Sequence, residues 1–322
     1  MKRRDTLLYL SAAGLTVLAN SSSAATPYPT KPLKIVVPFP PGGSTDMVAR
    51  AFAPRLAEAL GQSVVIDNKA GASTVIASDY VAKSAADGYT LLLTSVPLVT
   101  NPWLMKALPF ETPQAFAPIS LLVQSPFILV VQAASPIMSL NDVITRAKNE
   151  KLTFASTGSG TADHLAMELF CLQAGISMVH VAYKGTGPAL TDVMGGHVHL
   201  MFGNVVGAAP LIKSGKLRAL ATSTAQRSPL LPEVRTVAEL SSKPFDVSAW
   251  TGLLAPAGTD PLVVTAISNE LTKILKIPAL RELLIANGTD PVGSTPADFQ
   301  AFIVREMATW GKIIRSAAIT AS

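Results

Sequence analysis

The sequence predicts an α/β fold of two lobes, each with its own parallel sheet, hinged by two extended strands that cross between them. Short apolar strands alternate with amphipathic helices along most of the chain. Glycine- and hydroxyl-rich turns connect several strands to the helices that follow them. Two long extended stretches, 119–132 and 250–255, bracket a middle block of such units. Together these three observations define the fold class.

The β-branched and apolar runs predict nine strands, of which the first leads into a Pro-Pro-Gly-Gly turn. The predicted strands are 33–38, 63–67, 89–94, 128–132, 152–156, 178–182, 198–203, 217–222 and 250–255. Residues 47–60 follow the turn as a helix that ends at Gly61, with Ser44 or Thr45 as the capping residue at its start. Asp260 before Pro261, and the capping-box pattern at 295–298, predict two helices near the C-terminus.

The two extended stretches predict that the chain crosses twice between the lobes. The first lobe then holds residues 26–124 and 242–322, and the second holds residues 125–241. The C-terminal helices have no strands of their own, which favours this division over tandem domains joined by one crossing. A cleft between hinged lobes is suited to a ligand because closure surrounds it.

The composition is that of a globular protein without features for binding a polymer. Apolar residues make up 49% of the 322-residue chain and charged residues 15%, which excludes disorder. The formal net charge of +5 is not gathered in a basic stripe, so nucleic-acid binding is not expected. The single cysteine, Cys171, lies in a predicted helix and is expected to be a buried apolar group.

Residues 1–25 have the pattern of a signal peptide. A basic head at 2–4 precedes an apolar stretch at 7–19 and small residues at 22–25. We therefore expect an exported protein from which this segment is removed. The paired arginines allow the twin-arginine route, while Thr6, where that signal prefers phenylalanine, leaves ordinary secretion open.

Three strand-to-helix turns, at 40–46, 156–163 and 183–187, are rich in glycine and hydroxyl groups. Glycine lets the backbone approach a ligand closely, and the free N–H groups of a helix start attract negative charge. A single turn of this kind is most often an ordinary connection. Three of them, on both predicted lobes, favour a site for a small anion.

Motifs of catalysis and nucleotide binding are incomplete in this sequence. Two glycine-rich turns begin like a dinucleotide fingerprint but lack its last glycine, and neither a P-loop nor a G-x-S-x-G elbow occurs. A Ser159–His164 dyad and a metal site at His197 and His199 are both weaker hypotheses than structural roles. Lys184 either pairs with a carboxylate or is an exposed, solvated lysine. No metal and no cofactor is predicted.

Several collinear segments resemble the Bug family, the extracytoplasmic solute receptors of tripartite tricarboxylate transporters. The segments are 28–29, 37–46, 87–92, 183–185, 189–192, 215–221 and 291–296, and they span essentially the whole chain after the leader. The resemblance implies a periplasmic-binding-protein fold of the Venus-flytrap type, with type II strand order. It also implies a small carboxylate ligand: a dicarboxylate, a tricarboxylate, an acidic amino acid or an aromatic acid.

In the family, glycine-rich loops from both lobes grip one carboxylate, and ordered water bridges the other end. Carried over residue by residue, the resemblance implies these ligand contacts: Gly42, Gly43, Ser44, Thr45, Asp46, Ser73, Ser95, Thr157, Gly158, Ser159, Gly160, Thr161, Lys184, Gly185 and Asn204.

Two departures from the family pattern bear on the ligand. Residues 71–75 read Gly-Ala-Ser-Thr-Val where members commonly have Gly-Ala-Gly-Gly-Asn, and this bulkier loop is expected to reshape the pocket. Gly203 stands before Asn204 where many members have an aspartate. The loss of that carboxylate disfavours an amino-acid ligand.

These observations predict a non-enzymatic, periplasmic, monomeric receptor that captures a small organic carboxylate for uptake or sensing. Its expected partners are the membrane subunits of a tripartite transporter or a sensor kinase, and not nucleic acid. One alternative is a periplasmic enzyme acting on a small acid, with Asp46, Lys184 or His164 transferring a proton. A scaffold without a ligand is the other alternative, which the three glycine-rich turns disfavour.

Overall fold

The computed structural model describes residues 28–183, 185–316 and 319, so the predicted signal peptide and Lys184 lie outside the described residues. The strands are β1 (Leu33–Val37), β2 (Val64–Asn68), β3 (Thr90–Ser95), β4 (Phe116–Gln132), β5 (Thr153–Ser156), β6 (Val179–Ala182), β7 (Leu200–Asn204), β8 (Leu217–Thr222), β9 (Ser248–Pro256) and β10 (Asp290–Pro291). The helices are α1 (Ser44–Leu60), α2 (Val75–Ala82), α3 (Pro97–Leu104), α4 (Leu140–Asn149), α5 (Ala162–Ala174), α6 (Thr186–Gly195), α7 (Val205–Lys213), α8 (Val237–Ser241), α9 (Pro261–Ile274), α10 (Pro278–Ala286) and α11 (Pro296–Ser316).

The first sheet has the strand order β2–β1–β3–β9–β4. Its strands β1, β2 and β3 are parallel, while β9 runs antiparallel to both β3 and β4. The short strand β10 pairs with β4 at Gln124 and Val123. Apolar residues of α1 and α9, such as Phe52 and Leu271, belong to the same buried cluster as Ile35 of β1. Helices therefore cover this sheet as expected for buried parallel strands.

The second sheet contains β4, β7, β5 and β6 in that order, with β8 also paired to β4. Strand β5 is parallel to β6 and β7, and β4 is antiparallel to β7 and β8. Alternate residues of β5 point to opposite faces, so Phe154 packs with Leu165 of α5 whereas Ala155 packs with Leu190 of α6. The second sheet is thus covered on both faces.

Strand β4 belongs to both sheets. Residues 116–126 pair with β9, and from Phe127, which lies opposite Asn204, the same strand pairs with β7. The chain returns beside this crossing, because the Val247 N–H donates to the Ser223 carbonyl and Ser248 then lies opposite Pro126. The predicted strand 128–132 is therefore only the last part of β4, whereas the predicted extended stretch 119–132 covers most of it. The lobe boundaries at 125 and 242 stay a prediction.

Helix α11 fastens the returning strand through a buried acid. The indole N–H groups of Trp250 in β9 and Trp310 in α11 both donate to Glu306 Oε2, at 3.1 and 2.9 Å. Glu306 is only 6% exposed, and burial raises the pKa of its carboxyl to about 7. The second crossing is thereby tied to the C-terminal helix by a group whose charge is costly to bury.

Three details differ from the sequence-based expectations. Helix α1 begins at Ser44 with Gly43 as its N-cap, so the predicted cap by Ser44 or Thr45 and the start at residue 47 are wrong. His197 and His199 precede β7 instead of lying on it. Cys171 is buried as predicted, and burial raises its pKa to about 12. Among the described residues, no helix combines the length and apolarity needed to cross a membrane.

Candidate functional site

The register of the strands brings the carboxyl ends of both parallel sets to the crossing. Ser95, at the end of β3, lies opposite Thr251, which itself lies opposite Val123 of β4. Since β9 is antiparallel to both neighbours, β4 leaves the first sheet at the edge where β1, β2 and β3 end. It enters the second sheet beside Asn204, where β7 ends. The loops that follow the parallel strands of both sheets therefore lie on either side of the crossing.

The first-sheet loop (38–43) connects β1 to α1 and is shaped by Asp46. The Asp46 carboxylate accepts hydrogen bonds from the Gly42 N–H at 2.9 Å, from Arg50 Nε at 2.8 Å and from Asn68 Nδ2 at 2.9 Å. The Arg50 guanidinium, with the help of the other two donors, lowers the pKa of Asp46 to about 2. Gly42 has φ +85°, which suits glycine. Asp46 is 1% exposed, so its carboxylate holds the loop together from inside.

Helix α1 leaves its first N–H groups without a side-chain cap, because its N-cap is Gly43. Gly42, Gly43 and Ser44 are exposed, whereas Thr45 is buried. Exposed N–H groups at a helix start attract an anion through both hydrogen bonding and the helix dipole. The predicted contacts in this loop thus divide into an exposed group that faces solvent and a buried group that supports it.

The second-sheet loop (157–161) connects β5 to α5 and repeats this arrangement. Asp163, in the first turn of α5, accepts from the Thr157 N–H at 2.7 Å and from Thr157 Oγ1 at 2.8 Å. Thr161 Oγ1 donates to the Gly158 carbonyl at 2.6 Å, which closes the loop. Thr161 is the N-cap but gives α5 no side-chain cap. Ser159 is exposed, and the other residues of this loop are half-buried.

Two stacked imidazole rings lie beneath the second-sheet loop. The rings of His164 and His180 are 3.7 Å apart between centroids, with an interplanar angle of 10°. His164 Nδ1 accepts the Gly160 N–H at 2.9 Å, and His180 Nε2 lies 2.6 Å from Ser156 Oγ. Ser156 in turn donates to the Gly158 carbonyl and accepts from the Gly158 N–H. Side chains of α5, β5 and β6 therefore fix the loop from below.

A third loop at the first-sheet edge, 71–74, has an unusual backbone. Ala72, Ser73 and Thr74 have φ values of +45°, +48° and +75°, a region that L-residues seldom occupy. Such residues cost about 1–3 kcal/mol each and persist only where neighbours hold them. Asn101 of α3 does so here, since its Nδ2 donates to the Ser73 carbonyl at 2.7 Å and its Oδ1 lies 3.3 Å from Ser73 Oγ. The bulkier loop keeps a conformation that suits glycine.

The remaining predicted contacts, Ser95, Asn204 and Gly185, differ in their hydrogen bonding. Ser95 Oγ is buried at the end of β3 and has no hydrogen-bond partner among the described residues. Asn204 Oδ1 caps α7 by accepting the Val206 N–H at 2.9 Å. Gly185 is the N-cap of α6 and, within the described chain, gives that helix no side-chain cap.

The edge of the second sheet also touches the first-sheet helices. Gly160 lies beside Leu104, the last residue of α3, since a Cβ at position 160 would be 3.4 Å from Leu104 Cδ1. Helix α3 carries Asn101, which holds the left-handed loop 71–74. The loops of the two sheets are thus neighbours through α3.

Several residues that shape the site were not among the predicted contacts. They are Arg50, Asn68, Asn101, Asp163 and His180. One signal was present in the sequence: an aspartate follows each of two glycine- and hydroxyl-rich turns within the first helical turn. No group of three or more metal-ligating side chains occurs in the part of the chain that the structure describes.

Two α/β sheets that share crossing strands, with loops and uncapped helix starts on either side of the crossing, are the plan of a periplasmic binding protein. The chain belongs to the family described as tripartite tricarboxylate transporter family receptor, TctC, whose model matches residues 48–319. It is 38% identical over 312 residues to Protein BugT of Bordetella pertussis, which covers 96% of this chain and 94% of that protein.

Solved structures show the same fold. The Rhodopseudomonas palustris protein Rpa4515, solved with adipate, is 35% identical, has a TM-score of 0.74 and is matched over 91% of this chain and 99% of its own. MatC from the same organism, solved with bound malate, is 29% identical, has a TM-score of 0.69 and is matched over 89% of this chain and 100% of its own. The fold is therefore the two-lobed, hinged periplasmic-binding-protein fold.

Proposed function

We propose that this chain is a periplasmic receptor that binds a small organic carboxylate between the first-sheet and second-sheet loops. The observation that carries the proposal is the pair of helix starts, α1 and α5, that lack side-chain caps at the sheet edges on either side of the crossing. Elsewhere in the described chain, Ser139, Asn204, Thr236 and Asp260 cap helices by accepting backbone N–H groups, whereas α2, α3, α6 and α10 have no side-chain cap either. A carboxylate would supply the missing acceptors at α1 and α5.

The relatives support this ligand class. One structural neighbour carries adipate and another carries malate, and both are small dicarboxylates. The internal bonding of Asp46 and Asp163 also matters, because each carboxylate already accepts loop hydrogen bonds and so supports the loop. Captured acid is expected to be released unchanged, since the family is one of receptors and not of enzymes. Membrane subunits of a tripartite transporter, or a sensor kinase, would then receive the loaded protein.

A thermal-shift panel tests the proposal. Mature protein is melted with adipate, malate, citrate, glutamate and benzoate, with adipamide as the uncharged match to adipate. At least one acid should raise the melting temperature, because a ligand that binds only the folded state stabilises that state by RT ln(1 + [L]/Kd). Adipamide should not. A flat midpoint with every acid, or an equal shift with adipamide, would contradict a carboxylate site.

A second experiment tests whether the protein leaves the bound acid chemically unchanged. Bound acid is recovered from the denatured protein and identified by mass spectrometry. Recovery of the acid unchanged after prolonged incubation is expected of a receptor. A product of altered mass would instead favour the enzyme alternative.

A further inference from the structure

We propose that His164 and His180, the histidine pair, are positioning residues of the carboxylate site, and that His164 holds the second-sheet loop only while its Nδ1 carries no proton. This inference rests on the proposed function, since the loop is the second-sheet half of that site. It assigns to the pair a role in binding that depends on pH.

The hydrogen bond from Gly160 requires a neutral ring. A backbone N–H can donate to His164 Nδ1 only when that nitrogen carries a lone pair, so the proton of the neutral ring lies on Nε2. Glu168 Oε1 lies 3.5 Å from that Nε2 and favours this tautomer. Protonation at Nδ1 would place two donors against each other. Gly160 would then lose its acceptor and the loop its support from α5.

His180 makes the pair act as a unit. At 3.7 Å between ring centroids, two positive charges would repel strongly, so the pair cannot readily hold two added protons. His180 is partly buried against Phe154, and its ring stacks on that phenylalanine at 5.0 Å. Burial, followed by the neighbouring His164, lowers the pKa of His180 to about 4. A neutral pair is therefore the form that this packing favours.

Two acids near the pair favour a proton on the rings, since both raise the pKa of His180 against the larger effect of burial. Asp163 and Glu168 of α5 are the acids near the rings, and Asp163 is already bonded to Thr157. Strands β5, β7 and β9, which pack against α5, carry no titratable side chain. Helix α11 also packs there, but its buried acid Glu306 is bonded to two tryptophans.

The proposal makes affinity depend on pH in one direction. Histidine ordinarily changes charge between about pH 5 and 8. A proton that enters the pair at His164 Nδ1 breaks the Gly160 bond, and the loop then loses its binding shape. We expect adipate to bind about tenfold more weakly at about pH 5.5 than at about pH 7.5, which is the loss of one hydrogen bond.

The test variant is His164→Asn, which keeps an oxygen acceptor near the Nδ1 position but cannot titrate. The control is His199→Asn, because His199 Nδ1 bonds Thr153 at the opposite end of β5. Adipate is titrated calorimetrically into the mature wild type and both variants at the two pH values. The affinity for adipate should fall about tenfold at low pH in the wild type and in His199→Asn. In His164→Asn it should fall by less than about twofold. Protonation of adipate itself affects all three proteins equally.

A second measurement needs no ligand. The backbone amide signal of Gly160 is followed by ¹H–¹⁵N NMR in the free protein as the pH is lowered. It should shift with a single midpoint in the wild type and stay fixed in His164→Asn. A Gly160 signal that does not titrate, or that titrates equally in both proteins, overturns the proposal. If the amide titrates but no acid binds any variant, the proposed function fails while the role of the pair in shaping the loop stands.

Discussion

The first-sheet loop and the second-sheet loop have the same plan but are held by different chemistry. In each, a parallel strand ends, a glycine-rich loop follows, and an aspartate in the first turn of an uncapped helix accepts a loop N–H. Asp46 is then paired with a cation, Arg50. Around the second loop, hydroxyl groups and two neutral imidazoles take the place of that cation.

This difference determines how each half responds to conditions. The pKa of Asp46 is near 2, so the first-sheet loop keeps its ionised carboxylate throughout the physiological range. The second-sheet loop depends on imidazoles, which ordinarily titrate near neutral pH. We therefore expect the first-sheet loop to keep its shape as the pH changes, and the second-sheet loop to change its shape.

The largest expected effect comes from filling the first-sheet loop. Gly43→Val should weaken binding of the best acid in the panel at least about 1000-fold, or about 4 kcal/mol, because the side chain would occupy the space next to the α1 N–H groups. The fold should survive, since a Cβ at Gly43 meets only the Pro40 carbonyl oxygen, at 3.6 Å. Calorimetry measures the affinity and circular dichroism the fold. Wild-type affinity in a folded variant would exclude this loop from the site.

The next prediction concerns the free energy of unfolding, on which Glu306 at the crossing and His180 beneath the second-sheet loop have opposite pH-dependent effects. Because the pKa of Glu306 is raised to about 7, the folded protein holds a proton that the unfolded chain has released, and stability falls as the pH rises from about 4.5 to 7. The size is on the order of 3 kcal/mol. The lowered pKa of His180 acts oppositely, with stability lost as the pH falls from 6.5 toward 4.

Glu306→Gln should therefore expose the dependence that arises from the histidine pair. Its oxygen can still accept from both indoles, but it cannot ionise. Urea unfolding followed by tryptophan fluorescence should show the variant losing stability as the pH falls below about 6.5, while the wild type changes less. If the variant stayed flat and the wild type alone varied, the opposition between the two groups would be wrong.

The smallest expected effects are losses of stability when hydrogen bonds of the first-sheet loop are removed. Asp46→Ala should lower the free energy of unfolding by about 2 kcal/mol, because the partly buried hydrogen bonds from Gly42 and Asn68 lose their acceptor. Arg50→Gln is the matched control and should cost about 1 kcal/mol or less, since Arg50 is 54% exposed in its side chain. Urea titrations measure both. Equal losses would mean that the ion pair, and not the hydrogen bonding of the loop, holds Asp46.

Much of the fold could be predicted because its signals are local. The strand β1, the turn with Gly42 and Gly43, and the helix to Leu60 follow one another within a short segment, and each has a recognisable pattern. The cap of α1 was misassigned because Ser44 and Gly43 are both acceptable caps, and only the backbone geometry distinguishes them. The extended stretch 119–132 was predicted although Pro126 lies within it, and β4 differs from that stretch only by beginning earlier, at Phe116.

The supporting half of the site could not be predicted in the same way. His164 and His180 stack only because β6 lies beside β5 and α5 packs over both. Asn101 holds Ser73 across 28 residues of chain, and Glu306 reaches Trp250 across 56. Nothing in the spacing of these residues indicates that they meet.

The sequence by itself determined the alternation of strands and helices, the glycine turns and the family, because these depend on residues that are near one another in the chain. Only the tertiary structure decided which turns face each other and which side chains support them. Strand order and register set those distances, and they arise from packing between segments that are remote in sequence.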